Sequence, residues 1–321
     1  MIHHKMKYII GNNSAAYFLS YLLSNTTLIK HKTLEDLDYS AGPKIIYQPL
    51  LGLVKKEFED VKIKEYQRFY DDRGNSTTVM PKNFGKLYSL YTRGKTITEE
   101  SYKNNYLKYQ KYVSIDDLGP EDSFELLFEK IKETVNKRVI DKTIEHIDIN
   151  GTIFFSDESV KFERLISTIN IIDLANLDRT SKIIDSIIEN NCLEGFNLPY
   201  NDKFVYVCSL ESKEDKIISN LYKQILVTGK PYFKKTYITD KIIYESMRNI
   251  YEKHIDGNKI LKYVESTQIS DNLNMTKIMG IDLVGKLSEW IENTTLETIY
   301  NRAMQLKEFY SSNENNHKKV L

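Results

Sequence analysis

Six residues near the amino end, Gly11-Asn12-Asn13-Ser14-Ala15-Ala16, have the types and spacing to hold a diphosphate. Such a turn needs a glycine for the tight reversal. It needs a second small residue so that a phosphate can approach the backbone, and a third where helix meets strand. Gly11 and Ala16 meet the first and third demands, while Asn13 stands at the second. Asparagine tolerates the left-handed conformation, so the turn can form, and its carboxamide either crowds the phosphate or hydrogen-bonds to it. The helix beginning at Ser14 would offer free N–H groups and a positive dipole end beside Ala15 and Ala16. The alternative is a structural turn that holds no ligand.

Other chemistry-bearing residues are fewer. The second strand ends Leu28-Ile29-Lys30-His31-Lys32, with no carboxylate before Glu35. Ordinary FAD or NAD sites place an acidic residue there for the adenosine ribose. Lys30 suits either a phosphate-bearing cofactor or a solvated basic turn. Further on, Tyr232 and Lys234 fall on one face of an expected strand, with Tyr237 close by. Charge and stacking from Tyr232, Lys234 and Tyr237 would suit an anionic, ring-bearing substrate; the other reading is a sheet face with snorkelling lysines.

Several chemistries find no support. Gly94-Lys95-Thr96 lacks the leading glycine of a phosphate loop, and residues 280–286 are followed by Leu287 where a hydroxyl must meet Mg²⁺. No two of the six histidines have metal-ligand spacing, so no metal site is expected. No nucleophile elbow exists, and no residue is assigned as catalytic.

The elements that must position these residues follow from periodicity. Lys7-Tyr8-Ile9-Ile10 is a short strand, residues 14–24 are helical, and Thr26-Thr27-Leu28-Ile29 is a second strand. Strand, turn, helix and strand in so short a span make a βαβ unit with parallel strands. Residues 65–112 show no long period and read as short helices and loops of an insertion. Residues 123–136 form an amphipathic helix. Asn150-Gly151 marks a hairpin, and residues 164–169 are another strand. Residues 203–210, 224–228, 232–239 and 241–246 read as one antiparallel sheet, with a further strand at 260–268. Residues 281–284 are short and apolar. Thr294 or Thr295 caps a last helix ending near Phe309, and residues 311–321 form a tail.

Composition sets bounds. Lys+Arg and Asp+Glu are both 45 in 321 residues, so the chain carries no basic surplus for nucleic-acid phosphates. Its 41% apolar and 28% charged content suits a globular core. The longest apolar run, residues 15–23, falls far short of the ~20 residues that cross a bilayer. Cys192 and Cys208 read as reduced thiols, and the first ten residues lack a signal-peptide core, so a cytoplasmic protein is expected. Only eight of the 45 basic residues are arginines, so each deserves separate weight.

Taken in order, these pieces resemble the FAD-dependent amine oxidase and UDP-galactopyranose mutase superfamily. The βαβ opening is one piece. Ala41-Gly42-Pro43-Lys44-Ile45-Ile46-Tyr47 resembles the mutases' Gly-Pro-His segment near the flavin, with Lys44 in the His position. Phe162-Glu163-Arg164-Leu165-Ile166-Ser167-Thr168-Ile169 resembles the family's Ile-Ser-Thr-Ile-Pro segment, with Asn170 replacing the proline. Residues 231–237 resemble Pro-Phe-x-Arg, with Lys234 in place of the arginine that holds the substrate diphosphate. Gly285-Lys286-Leu287-Ser288-Glu289-Trp290 resembles the closing Gly-Arg-x-x-x-aromatic segment, whose helix N-terminus, here Thr295 and Leu296, faces the flavin.

The resemblance implies an α/β fold: a Rossmann-like dinucleotide-binding domain interrupted by a helical insertion and an antiparallel substrate-domain sheet. The implied FAD domain is discontinuous (1–50, 125–195 and 258–310), with a substrate or insertion domain at 51–124 and 196–257. It implies FAD held by Gly11, Asn13, Ser14, Ala15, Ala16, Lys30, Gly42, Pro43, Lys44, Gly285, Trp290, Thr295 and Leu296. The implied function is an FAD-dependent oxidoreductase or a mutase-like flavoenzyme acting on a small anionic substrate such as a nucleotide sugar. In the mutases, reduced flavin is thought to attack the sugar's anomeric carbon. The alternative is a catalytically inactive descendant used for ligand binding or assembly, and a third reading is another nucleotide ligand. A homo-oligomer is compatible with each; neither nucleic acid nor membrane is an expected partner.

Overall fold

The computed structural model describes residues 6–31, 44–91, 111–191, 204–211, 222–238, 241–246, 260–267, 275–285, 288–289 and 295–318. The chain opens with β1 (Lys7–Ile10), α1 (Ser14–Leu22), β2 (Thr26–Ile29), α2 (Leu51–Glu57), β3 (Val61–Glu65), β4 (Gln67–Asp72), β5 (Asn75–Thr77) and α3 (Phe84–Tyr91). It continues through β6 (Lys111–Ile115), α4 (Pro120–Val135), β7 (Val139–Ile140), β8 (Ile144–Asp148), β9 (Thr152–Phe155), β10 (Ser159–Lys161) and β11 (Arg164–Ser167). Next come α5 (Ile171–Leu177), α6 (Lys182–Asn191), β12 (Phe204–Glu211), β13 (Lys223–Thr228), β14 (Lys234–Ile238), β15 (Lys241–Ser246) and β16 (Ile260–Thr267). The last elements are β17 (Lys277–Ile278), β18 (Ile281–Leu283) and α7 (Leu296–Lys318).

The residues divide into two compact units. Unit 1 comprises Met1–Asp38, Phe128–Asn201 and Ile269–Leu321; unit 2 comprises Tyr39–Leu127 and Asp202–Gln268. Unit 1 holds a six-stranded sheet in the order β17-β18-β11-β1-β2-β7, parallel except for the β17–β18 pair, and a three-stranded antiparallel sheet β10-β9-β8. Strands buried on both faces read as continuous apolar runs, and Tyr8, Ile9 and Ile10 are all buried. Tyr8, Ile10, Ile29, Leu165, Ile169 and Leu283 belong to one core cluster with Ile144, Ile153 and Ile183.

Helix α1 is fixed at both ends. Ala15, Ala16, Phe18 and Leu19 bury its apolar side. At its C-terminal end the Arg138 guanidinium donates to the carbonyls of Ser20 at 2.8 Å, Ser24 at 2.6 Å and Thr26 at 2.7 Å, with Leu23 O at 3.5 Å. A cation there satisfies carbonyls that the helix leaves open and complements its dipole.

Unit 2 holds a seven-stranded sheet, β16-β12-β15-β14-β13-β4-β5, and the pair β3-β6. All neighbours in the larger sheet are antiparallel except β13 and β4, which run parallel with Gln224 opposite Arg68. Here the structure departs from the expectation of helices and loops over 65–112. Tyr66 and Tyr70 are buried and Arg68 lies on the same face between them, so a cation interrupts the two-residue apolar period. Helix α7 also runs past the expected end near Phe309, to Lys318. Extending a helix costs less than starting one, and Tyr310 donates to the buried Asp282 at 3.0 Å, which anchors the added turns. Among the described residues no helix is long and apolar enough to cross a membrane.

Candidate functional site

The strand order of unit 1 locates the place to look. From β1 the chain moves to β2 on one side, while β11 lies on the other. Ligands of open α/β sheets bind beyond the carboxyl ends of strands at this reversal. The residues there are Gly11 after β1 and Thr168 after β11. Thr168 donates from both its backbone N–H and its hydroxyl to Ile10 O, each at 3.0 Å. A Cβ on Gly11 would lie 1.9 Å from Thr168 Oγ1 and 3.0 Å from Ala16 Cβ. The glycine is therefore required by the chain's own packing.

Asn13 bridges the same spot. Its Oδ1 accepts from Ala16 N at 3.0 Å, and its Nδ2 donates to Thr168 O at 2.9 Å. Its backbone is extended, with φ −116° and ψ 172°, and not left-handed as the sequence suggested. The reason is that it is the N-cap of α1, and N-caps take the β region while the side chain turns back onto the helix.

A second loop, after β18, meets this turn. Val284 N and Ser288 Oγ both donate to Ser167 O, at 3.0 Å and 2.7 Å. Gly285 has φ +108°, a conformation that favours glycine, and a Cβ there would stand 3.5 Å from Ala15 Cβ. Gly285 N donates to Glu289 Oε2 at 3.1 Å, and Glu289 N returns to Gly285 O at 2.9 Å. Glu289 is buried, and burial raises its pKa above the ordinary carboxylate value, against the pull of the Gly285 amide and Arg302. Thr295 caps α7, accepting from Thr298 N at 3.4 Å, and Leu296 is half-buried. One residue in, burial likewise raises Glu297. Trp290, Gly42 and Pro43 lie outside the described residues.

The basic turn after β2 is less cationic than it reads. Lys30 N donates to Ile140 O at 2.8 Å, and its side chain is half-buried. His31 is buried, its Nδ1 accepts from Ile144 N at 2.9 Å, and burial lowers its pKa. It is a neutral peg for β8, which nothing in its sequence neighbours announces. In unit 2, Lys44 pairs with Glu125 at 3.2 Å and lies 5.8 Å from the Phe124 ring centre.

The substrate-side candidates separate. Lys234 pairs with the buried Glu245 at 2.5 Å across β14 and β15. Tyr232 packs edge-on against Tyr244 at 4.8 Å, and Tyr237 lies 4.4 Å from the Lys235 ammonium. Tyr244 is opposite Lys235 in register, so the Tyr232 ring sits on the face opposite Lys234, not with it. Pro231-Tyr232-Phe233 bends before β14 begins, which breaks the strict alternation assumed from sequence.

Sequence reasoning missed one row on the Lys234 face. Arg68, Gln224 and Thr236 stand opposite one another on β4, β13 and β14. Arg68 Nη2 donates to Gln224 Oε1, and Gln224 Nε2 lies 3.5 Å from the hydroxyl of the buried Tyr222. Burial raises the Tyr222 phenol well above 10. The scarcity of arginine was the available signal. This face carries a cation, an amide, a hydroxyl and a phenol, of which Gln224, Thr236 and Tyr222 are buried, while the Lys234 charge is already balanced.

No family model and no curated protein matches the chain. Solved structures do. A reduced UDP-galactopyranose mutase aligns with a TM-score of 0.55 and 11% identity over 90% of this chain and 91% of that one. An oxidoreductase from Methanosarcina mazei gives 0.60 and 9% over 94% and 100%. BrvH, a flavin-dependent halogenase from Brevundimonas sp. BAL3, gives 0.54 and 10% over 95% and 72%. The likeness covers both units, and it establishes that this chain has the Rossmann-type fold of these proteins.

Proposed function

We propose that the chain is a redox-silent descendant of the flavin-enzyme fold, one that binds a small polar molecule and uses its own side chains where the fold elsewhere holds a dinucleotide. The observation that carries this reading is the Asn13 bridge. A diphosphate in this fold depends on N–H groups at the start of α1. The Ala16 N–H is given to Asn13 Oδ1, and Asn13 Nδ2 ties the helix to Thr168 O. Displacing the side chain costs two hydrogen bonds at about 1 kcal/mol each, or roughly 30-fold in affinity. Lys30 stands where an adenosine ribose needs a carboxylate, and Glu289 sets a carboxyl on the Gly285 N–H. These residues do not fit FAD as a resident group.

Ligand binding then falls to unit 2. Glu245 balances Lys234, so Lys234 offers a diphosphate no unbalanced charge. A polar molecule with at most one negative charge suits the row of Arg68, Gln224 and Thr236. A second reading, a flavin-dependent oxidoreductase or sugar-nucleotide mutase, is favoured by Gly285 and Ala15. A Cβ on Gly285 would stand 3.5 Å from Ala15 Cβ, so the two keep the small-residue surface that a cofactor needs.

The absorption spectrum of the purified full chain, followed by melting with added FAD, separates the two. The proposal expects a colourless protein and an unchanged melting temperature. A resident flavin would colour the protein, and FAD at about 100 times its Kd would add about 2.7 kcal/mol of stability.

A further inference from the structure

The closing contacts come in two parts, one on each loop at the sheet's reversal. On the β1–α1 turn, Asn13 Oδ1 occupies the Ala16 N–H; on the loop after β18, Glu289 Oε2 occupies the Gly285 N–H. Both loops keep the small residues of an open cradle. Gly11 and Ala16 flank the first, and Gly285 lies against Ala15.

Resting on the reading above, we infer that the chain retains a dinucleotide-diphosphate cradle which Asn13 and Glu289 hold shut as internal ligands. The backbone of the cradle is intact, and the closure resides in two replaceable side chains. One other route to closure would be collapse of the backbone onto itself, which no single substitution would reverse. The cap geometry argues for side-chain closure, because α1 starts at Ser14, directly after the turn, and the Asn13 carboxamide folds back onto its first turn at Ala16 N.

The test is titration of the full-length protein with FAD and, separately, with ADP, read by calorimetry and by quenching of flavin fluorescence. Asn13→Gly places at the N-cap a residue that is tolerated there and also loses the bond to Thr168 O, a modest loss that should leave the protein folded. Each hydrogen bond that no longer has to be displaced is worth about fivefold in affinity, so N13G, which removes two, should bind about 30-fold more tightly than the wild type and N13G/E289A, which removes three, about 150-fold more tightly. Asn13→Asp keeps the cap but adds a charge at the mouth, and it should gain nothing. Circular dichroism confirms that each variant is folded.

If folded N13G/E289A binds FAD and ADP no better than the wild type, the inference is overturned and the redox-silent reading stands. A gain in N13D equal to that in N13G would overturn it too, because loosening rather than release would then be the cause. If the wild type itself takes FAD tightly, the redox-silent reading fails. The inference survives that result only if the variants still bind tighter in the stated ratio.

Discussion

Gly11→Ala is expected to destabilise the ligand-free protein by about 3 kcal/mol, the upper end for an overpacked core. The new Cβ would sit 1.9 Å from Thr168 Oγ1 and 3.3 Å from Thr168 Cβ. Neither neighbour can retreat cheaply, since Thr168 is tied to Ile10 O by its backbone and its hydroxyl. Thr168→Ala removes the closest atom, so G11A/T168A should recover part of the loss. A double-mutant cycle by urea unfolding should give a coupling of at least about 1 kcal/mol. A glycine kept for the approach of a phosphate would behave otherwise. Its replacement would leave the ligand-free protein as stable as before and weaken only the cofactor.

Arg138→Ala should cost about 2–3 kcal/mol, because several carbonyls lose a charged donor at once. A loss of that size lowers the melting temperature by roughly 4–12 °C in a unit of this scale. Arg138→Lys keeps the charge but not the planar fork that reaches Ser20, Ser24 and Thr26 together, so it should rescue less than half of the loss. Calorimetry of the three proteins checks this. Equal stability of R138A and the wild type would show that the clamp contributes nothing.

These two residues mark the limit of what sequence discloses. The opening βαβ unit is legible because its signals are local: Tyr8-Ile9-Ile10 is a continuous apolar run within the strand, the turn has its glycine, and α1 has its period. The Asn150-Gly151 hairpin and the antiparallel strands from 203 to 246 are legible for the same reason. Arg138 is not legible, since its partners lie more than a hundred residues away and any helix-end arginine looks alike. The parallel pairing of β4 with β13 is equally non-local, and register decides which side chains meet. Register put Glu245 beside Lys234 and Arg68 beside Gln224.

At the candidate site the motif positions were readable, and their use was not. The spacing from Gly11 to Ala16 marks a dinucleotide turn whichever way Asn13 points. Whether its carboxamide faces a phosphate or the chain depends on Thr168, which arrives from β11. Glu289 was one of 45 acidic residues until the loop after β18 folded it onto Gly285. His31 read as part of a basic run and became a neutral acceptor once burial and Ile144 N were in place.

Amide exchange measured by NMR bears on the Asn13 bridge most directly. In the free protein the Ala16 amide and the Asn13 side-chain NH₂ should exchange slowly, as hydrogen-bonded groups do. Neither resonance should move when FAD is added in excess. Fast exchange at both groups in the free protein, with shifts at Gly11 through Ala16 on adding FAD, would contradict the account and return the turn to a cofactor.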